Sequence, residues 1–297
     1  MASKVRAYPE IRIPSPIWQT WQAYKESPVS MAAFWGLTVL LLVIVLGPSF
    51  SSHDPLQQNP NMLLQPPSWA TKGTINHFFG TDDLGRDILA RLVYGARLTV
   101  GSAFIATLIA MLLGGTVGVL AGMSRGLKSS VLHHMLDMLL SIPSLLLAIV
   151  LVAIMGASLA NATLAITLAL LPQFIRATHN AVSNEMQKEY IVAVRLDGSP
   201  PFRILRLAIL PNIVDTLVGQ TTRALSTAIL DISAVCFLGI GAQTPQPEWG
   251  SMLADGMDFI YVGSWTVTLP GLAILLSVLT TNLVGDGLRR ALQKGID

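Results

Sequence analysis

Leu98-Thr-Val-Gly-Ser-Ala-Phe-Ile-Ala-Thr-Leu-Ile-Ala-Met-Leu-Leu-Gly-Gly-Thr-Val-Gly-Val-Leu-Ala-Gly-Met123 runs without a charged residue. An apolar helix needs about 20 residues to cross the hydrocarbon of a bilayer, and this stretch exceeds that. Gly114, Gly115, Gly118 and Gly122 recur at helical spacing within it, which reads as a face for close helix packing rather than a site. The rest of the chain excludes a buried helix in a soluble core. Of 297 residues, 52% are hydrophobic and 12% charged, about half the roughly 25% charged share of soluble domains. The expected fold is all-α, a polytopic membrane protein.

Working outward, similar apolar runs lie at 31–50, 131–155, 162–178, 216–242 and 265–283. With 98–123 they make six expected transmembrane helices, forming a permease-like domain over 31–297 behind an N-terminal segment, 1–30. The first run lacks a small-residue cleavage site and reads as a retained anchor. Lys and Arg collect in the N-terminal segment, around Arg125 and Lys128, between Lys188 and Arg206, and at Arg289, Arg290 and Lys294. Positive loops stay on the cytoplasmic side, so both termini and the loop 182–212 are expected there. Segments 51–97 and 243–264 are then expected outside. The latter has no Lys or Arg.

The loop 182–212 is too long to lack structure. Apolar spacing predicts a helix over 185–196, a break at Gly198-Ser-Pro-Pro201, and a short helix over 202–210 ended by Pro211. A short helix followed by a glycine turn suits insertion into a groove of a partner. The loop alone equally suits an amphipathic helix lying at the membrane interface.

Other features bound the chemistry. A net charge of +2 gives no warrant for nucleic acid, which demands clustered cations. Cys236 is the one cysteine, so it forms no internal disulfide and reads as a small buried hydrophobe. No G-x-x-x-x-G-K-[ST], H-E-x-x-H or G-x-S-x-G is present, which leaves no sequence sign of ATP hydrolysis by this chain or of hydrolase chemistry. No catalytic, cofactor or metal residue is expected. Asp82, Asp83, Arg86 and Asp87 could hold a metal or phosphate, but they read better as a turn whose charges hold one another and cap the next helix. His133 and His134 lack a third ligand and read as interfacial. Arg223 and Asp231 fall in or near a span, where a charge costs at least about 2.5 kcal/mol unless paired. Eight positions apart they sit about 12 Å from one another along a helix, so each needs another partner. Arg223 can snorkel, while Asp231 is the better candidate for a translocation pathway. Pro143, Pro172 and Pro270 read as kinks or hinges within spans.

Within the cytoplasmic loop, Glu189-Tyr-Ile-Val-Ala-Val-Arg-Leu-Asp-Gly198 and Ala208-Ile-Leu-Pro211 resemble the coupling signature of ABC importer permeases. Ala193, Gly198, Leu210 and Pro211 match it, whereas Val192 stands at its acidic position and Ala208 at the first position of its ending. Phe79-Gly-Thr-Asp-Asp-Leu-Gly-Arg-Asp87, with Gly80, Thr81, Asp82, Gly85, Arg86 and Asp87, resembles the block before the second span in dipeptide and oligopeptide importer permeases. Further collinear matches lie at 137–147, Pro247-Glu-Trp-Gly250, Met252-Leu-Ala-Asp255, 270–274 and 282–289. The wording around 141–147 and 192–198 is most like the Sap-type branch.

That resemblance implies a bacterial inner-membrane permease for peptides, antimicrobial peptides included. Its expected partners are a second, homologous permease as heterodimer, two cytoplasmic ATPase subunits docking at Glu189 to Pro211, a periplasmic solute-binding protein, peptide substrate and membrane lipid. ATP is expected on the partner subunits. Haem uptake and polyamine export are other functions of the Sap-type branch. The rival class is an ion-gradient-driven transporter or channel with Asp231 and Arg223 as coupling charges.

Overall fold

The computed structural model describes residues 15–124, 136 and 140–294. Among them, elements are helical, and the sole β feature is an isolated bridge between Thr81 and Asp87. The helices are α1 (Pro16–Lys25), α2 (Pro28–Phe50), α3 (Ile88–Met123), α4 (Ser144–Met155), α5 (Leu159–Glu185), α6 (Glu189–Leu196), α7 (Pro201–Ile204), α8 (Leu210–Phe237), α9 (Trp249–Gly256) and α10 (Trp265–Lys294). Local chemistry sets their starts. Ser27, Asp87, Ser158 and Glu248 each accept a hydrogen bond from the backbone N–H three residues on, the standard way to satisfy orphan donors at a helix start.

Four of these helices, α2, α3, α5 and α10, are long and apolar enough to cross a membrane. Their outward faces carry Leu41, Val45, Leu112, Leu120, Leu275 and Leu276 exposed, the composition lipid tails accept. α3 is longer than the expected span: residues 88–97 continue it without a break, so the amphipathic stretch beside Asp87 is its first turns. α8 is long but carries Asp215, Arg223 and Asp231. α4 has 12 residues, about 18 Å of helix. The expected run 131–155 is interrupted at 141–143, and Pro143 is the N-cap of α4. Pro143 thus opens a helix instead of kinking one, because a helix start needs no N–H from it. Pro172 and Pro270 do lie inside α5 and α10. Arg125, Lys128, His133 and His134 lie outside the described residues.

Pro211 also departs from expectation. Instead of ending a helix it lies in the first turn of α8, which continues α7 through a π-helical turn, Leu205–Ile209. A widened turn leaves room where a proline ring would otherwise meet the carbonyl four residues back.

The core joins α3, α5 and α8 through small residues: Ala103, Ala106 and Ala110 on α3, Ala162 and Ala165 on α5, Ala224 and Ala228 on α8, filled out by Ile166, Leu170, Phe174 and Ile229. Three of the four glycines face α5. A methyl on Gly114 would lie 2.7 Å from Phe174 Cβ, on Gly118 2.7 Å from Thr178 Cβ, and on Gly122 2.8 Å from Val182 Cβ. Gly115 has nothing within 4 Å, so it is off that face.

Long-range contacts define two ends. At one, Lys294 Nζ is 3.3 Å from Glu26 Oε2, and Gln293 donates to Asp215 at 3.1 Å. At the other, Trp265 Nε1 donates to the Thr81 carbonyl at 3.1 Å, and Arg86 meets Asp255. α10 runs between them. Residues 51–87 and 238–264 form a cap on the second end, whereas α6 and α7 lie with the first.

Candidate functional site

Two constellations occupy these ends, and one buried carboxylate lies between them. At the first end, α6 and α7 fold over a small apolar cluster of Val182, Met186, Ile191, Ile204, Ile209 and Ile213. Ile191 is fully buried on the inner face of α6, while Glu189 and Ala193 are exposed. Gly198 ends the turn with φ +78° and open space around it, and its N–H donates to Arg195 O at 3.0 Å. Only glycine adopts that backbone without strain. Beside it the outer surface is apolar: Val192 and Leu207 are exposed, Phe202 is 72% exposed and Leu196 84%. Side chains this apolar and this open, on a segment with its own core, mark a surface made to be covered.

The Tyr190 hydroxyl fastens the two ends of this loop. It donates to Glu185 at the end of α5 and lies 3.2 Å from Ala208 O; Asn212 Nδ2 donates to it at 3.0 Å and to Ala208 O at 2.7 Å. Lys188 Nζ lies 2.8 Å from the other Glu185 oxygen. Burial, the bond to Glu185 and that carboxylate's charge push the Tyr190 phenol up to about 12, so it remains a donor. Leu210 and Pro211 follow the π turn, Leu210 half-buried and Pro211 exposed.

Asp231 is buried on α8 and accepts a hydrogen bond from Ser144 Oγ at 3.1 Å. Ser144 is the first residue of α4, so the carboxylate lies at a helix start, where the backbone dipole favours anions. Arg223 is exposed, 3.5 Å from Gln220 Oε1. Asp231 and Arg223 are therefore not brought together.

The cap gathers the second motif. Arg86 Nε is 2.6 Å from Asp82 Oδ2, and its Nη2 is 3.7 Å from Asp83 and 3.5 Å from Asp255. Arg91, 2% exposed, reaches Asp82 at 3.6 Å and Asp255 at 3.5 Å. Asp82 Oδ1 accepts from the N–H groups of Leu84 and Arg86. Asp87 caps α3 through Ala90 N at 2.7 Å and turns its other oxygen to His77. Thr81 exchanges bonds with Gln65, while Gly80 and Gly85 hold φ +79° and +73° against the backbones of Gln65 and Asn59. Burial, reinforced by Asp82, pushes the Asp83 carboxyl above its ordinary range.

Sequence reasoning quoted Glu248 within the Pro247-Glu-Trp-Gly250 match but gave it no role; in the structure this carboxylate is fully buried. Its oxygens accept from Thr99 Oγ1 at 2.7 Å and Ser251 N at 2.9 Å. Trp249 beside it donates to Thr99 and to Leu92 O, and a methyl on Gly250 would collide with Ser233 O. Burial raises the Glu248 carboxyl above its ordinary range, against the pull of those donors. The Tyr190 hub and the Arg91–Asp255 pair were missed as well. The signals in the sequence were the matches at Pro247-Glu-Trp-Gly250 and Met252-Leu-Ala-Asp255, which name Glu248 and Asp255 but not their partners.

Residues 114–297 match the family model described as binding-protein-dependent transport system inner membrane component, and residues 15–67 match the N-terminal TM domain of oligopeptide transport permease C. The chain is 50% identical to the peptide transport system permease protein SapC of Salmonella typhimurium over 98% of both chains. It is 42% identical to the di/tripeptide transport system permease protein DppC of Pseudomonas aeruginosa, over 96% of this chain and 94% of that one. In fold it resembles an inward-facing form of the MetNI methionine ABC transporter, with a TM-score of 0.57 at 23% identity over 68% of this chain and 95% of that chain.

Proposed function

We infer, from the fact that this chain belongs to the family of binding-protein-dependent transport system inner membrane components, that it is a permease subunit of an ATP-binding-cassette peptide transporter. It is a multi-pass protein of the bacterial inner membrane and forms part of the pathway that peptides cross, with antimicrobial peptides among the substrates that fit the Sap-type likeness.

In this reading α2, α3, the segment ending in α4, α5, α8 and α10 are the six spans. The Glu26–Lys294 contact, which ties the end of α1 to the end of α10, supports the reading of both termini on one side, and the basic residues there favour the cytoplasm. α6 and α7 then project into the cytosol, with Glu189, Ala193, Gly198, Leu210 and Pro211 in the docking segment for one of two ATPase subunits. The cap faces the periplasm, where a solute-binding protein delivers peptide. A second, homologous permease completes the pathway, and lipid surrounds both. Hydrolysis belongs to the ATPase partners, whose movement α6 conveys to α5 and α8 through Tyr190.

The observation that carries this reading is the open apolar face of Val192, Leu196, Phe202 and Leu207 around a glycine turn. Its rival, a membrane-lying loop, would bury that face in lipid. Copurification of the complex separates them: Leu196→Asp with Phe202→Ser is expected to abolish ATPase association while the permease still inserts and folds. Undiminished association would refute docking at this face. The ion-gradient alternative gains nothing from Asp231, which bonds to Ser144 and not to Arg223.

A further inference from the structure

The cap holds a second cluster that the transport reading does not use. His53 follows the outer end of α2, His77 ends the 3-10 turn Ile75–His77, and Asp87 opens α3. One ligand atom from each lies within 4.8 Å of the others. His77 Nδ1 is 2.9 Å from Asp87 Oδ2, and the two imidazole centroids are 4.8 Å apart at 37°. We propose that His53, His77 and Asp87 form a binding site for a divalent transition-metal ion of the zinc type.

Two imidazoles and a carboxylate are the donor set of borderline ions such as Zn2+ and Co2+. Asp87 Oδ1 is engaged by Ala90 N, which leaves Oδ2 as the ligand. Among the described residues the His53 ring has no hydrogen-bond partner and only the His77 ring beside it. A half-buried imidazole tilted against another at 4.8 Å, with neither ring nitrogen hydrogen-bonded among the described residues, is poorly explained by packing alone. The site is also reachable: His53 lines two depressions, of about 300 and 680 Å³.

Tetrahedral ligands at about 2.0–2.2 Å from zinc stand roughly 3.3 Å from one another. The His77–Asp87 separation of 2.9 Å is near that value already. His77 and Asp87 are buried and fixed, so the half-buried His53 is the ligand that moves inward, and water takes the fourth position. An ion there ties the end of the first spanning helix to the start of the second, across the residues that separate them.

The test uses the full chain in detergent, without a histidine tag and stripped with chelator. Zn2+ titrated calorimetrically is expected to bind at one equivalent and to raise Tm, and Co2+ to give the strong visible absorption of a four-coordinate site. His53→Ala, which leaves the His77–Asp87 pair intact, is expected to weaken binding at least about tenfold and abolish the Tm rise. Failure of the wild type to bind Zn2+, or a His53→Ala variant that binds it equally well, through His133 and His134 for instance, would overturn the proposal. His77→Ala alone would not decide it, since losing that buried ring can unfold the cap.

Discussion

The two ends of this molecule use glycine and charge in opposite ways. In the cap, Gly80, Gly85 and Gly250 lie where a methyl would strike backbone, and Arg86 and Arg91 are almost wholly buried among Asp82, Asp83 and Asp255. In the loop, Gly198 has the same left-handed φ but empty space around it, and apolar side chains point outward. Buried arginines held among carboxylates tie a segment to itself. One that leaves its apolar face open has its partner still to meet. The cap therefore acts as a clasp on the ends of α3, α8 and α10, and the loop is the part that, in the proposed reading, receives force.

Breaking the clasp should give the largest effect. Arg86→Met leaves Asp82, Asp83 and Asp255 with one guanidinium between them, and removing one partner of a buried ion pair costs about 3–5 kcal/mol. Thermal unfolding of the purified chain in detergent should show this loss. An equal charge removal in the loop, Arg203→Met, should leave Tm nearly unchanged, since Arg203 is exposed. The glycines sharpen the same contrast. Gly250→Ala forces a methyl onto Ser233 O and should cost about 1–3 kcal/mol as overpacking. Gly198→Ala meets no atom and should cost only the left-handed penalty of about 1–2 kcal/mol, confined to the loop, so that limited proteolysis there rises while global Tm holds.

Glu248 gives the cap a pH signature. Its folded-state pKa is raised by burial, so its contribution to stability is fully present below the ordinary carboxyl pKa and declines as pH rises through the raised value. Glu248→Gln cannot ionise. The wild type should thus lose stability relative to that variant as pH is raised from about 4. A constant Tm difference across that range would show that the carboxylate is not desolvated.

The same contrast governs how much the sequence disclosed. Apolar runs such as 98–123, the glycine-proline break at 198–201 and the charged turn at 82–87 are local patterns; composition pointed to lipid, and the length of the apolar runs to helices. What stayed hidden was set by distant partners. Nothing near Arg91 announces Asp255, 164 positions away. Pro211 reads as a helix stop until the π turn before it is seen, and Pro143 as a kink until it proves to be a cap. Gly115 shares the spacing of Gly118 but faces away from α5, because its place around the helix and not its identity decides. His53 and His77 carry no shared motif and meet only because the cap folds back on α2.

Tyr190 offers the smallest change with the most specific reading. Tyr190→Phe keeps the ring and removes one hydroxyl, which touches Glu185 on α5 and both Ala208 and Asn212 around the π turn. Its loss should cost about 1 kcal/mol of stability, and Glu185 keeps Lys188, so the loop should still fold and still bind the ATPase. If this hydroxyl stiffens the joint between α6 and the helices it moves, the complex reconstituted in liposomes should hydrolyse ATP at a near-normal rate yet carry less peptide per ATP. Stability lost with the transport-to-hydrolysis ratio intact would make Tyr190 only a structural tie. The loop's stiffness would then have to reside in its apolar cluster, where Ile191→Ala, stripped of a buried side chain against Val182 and Ile209, should reproduce the uncoupling.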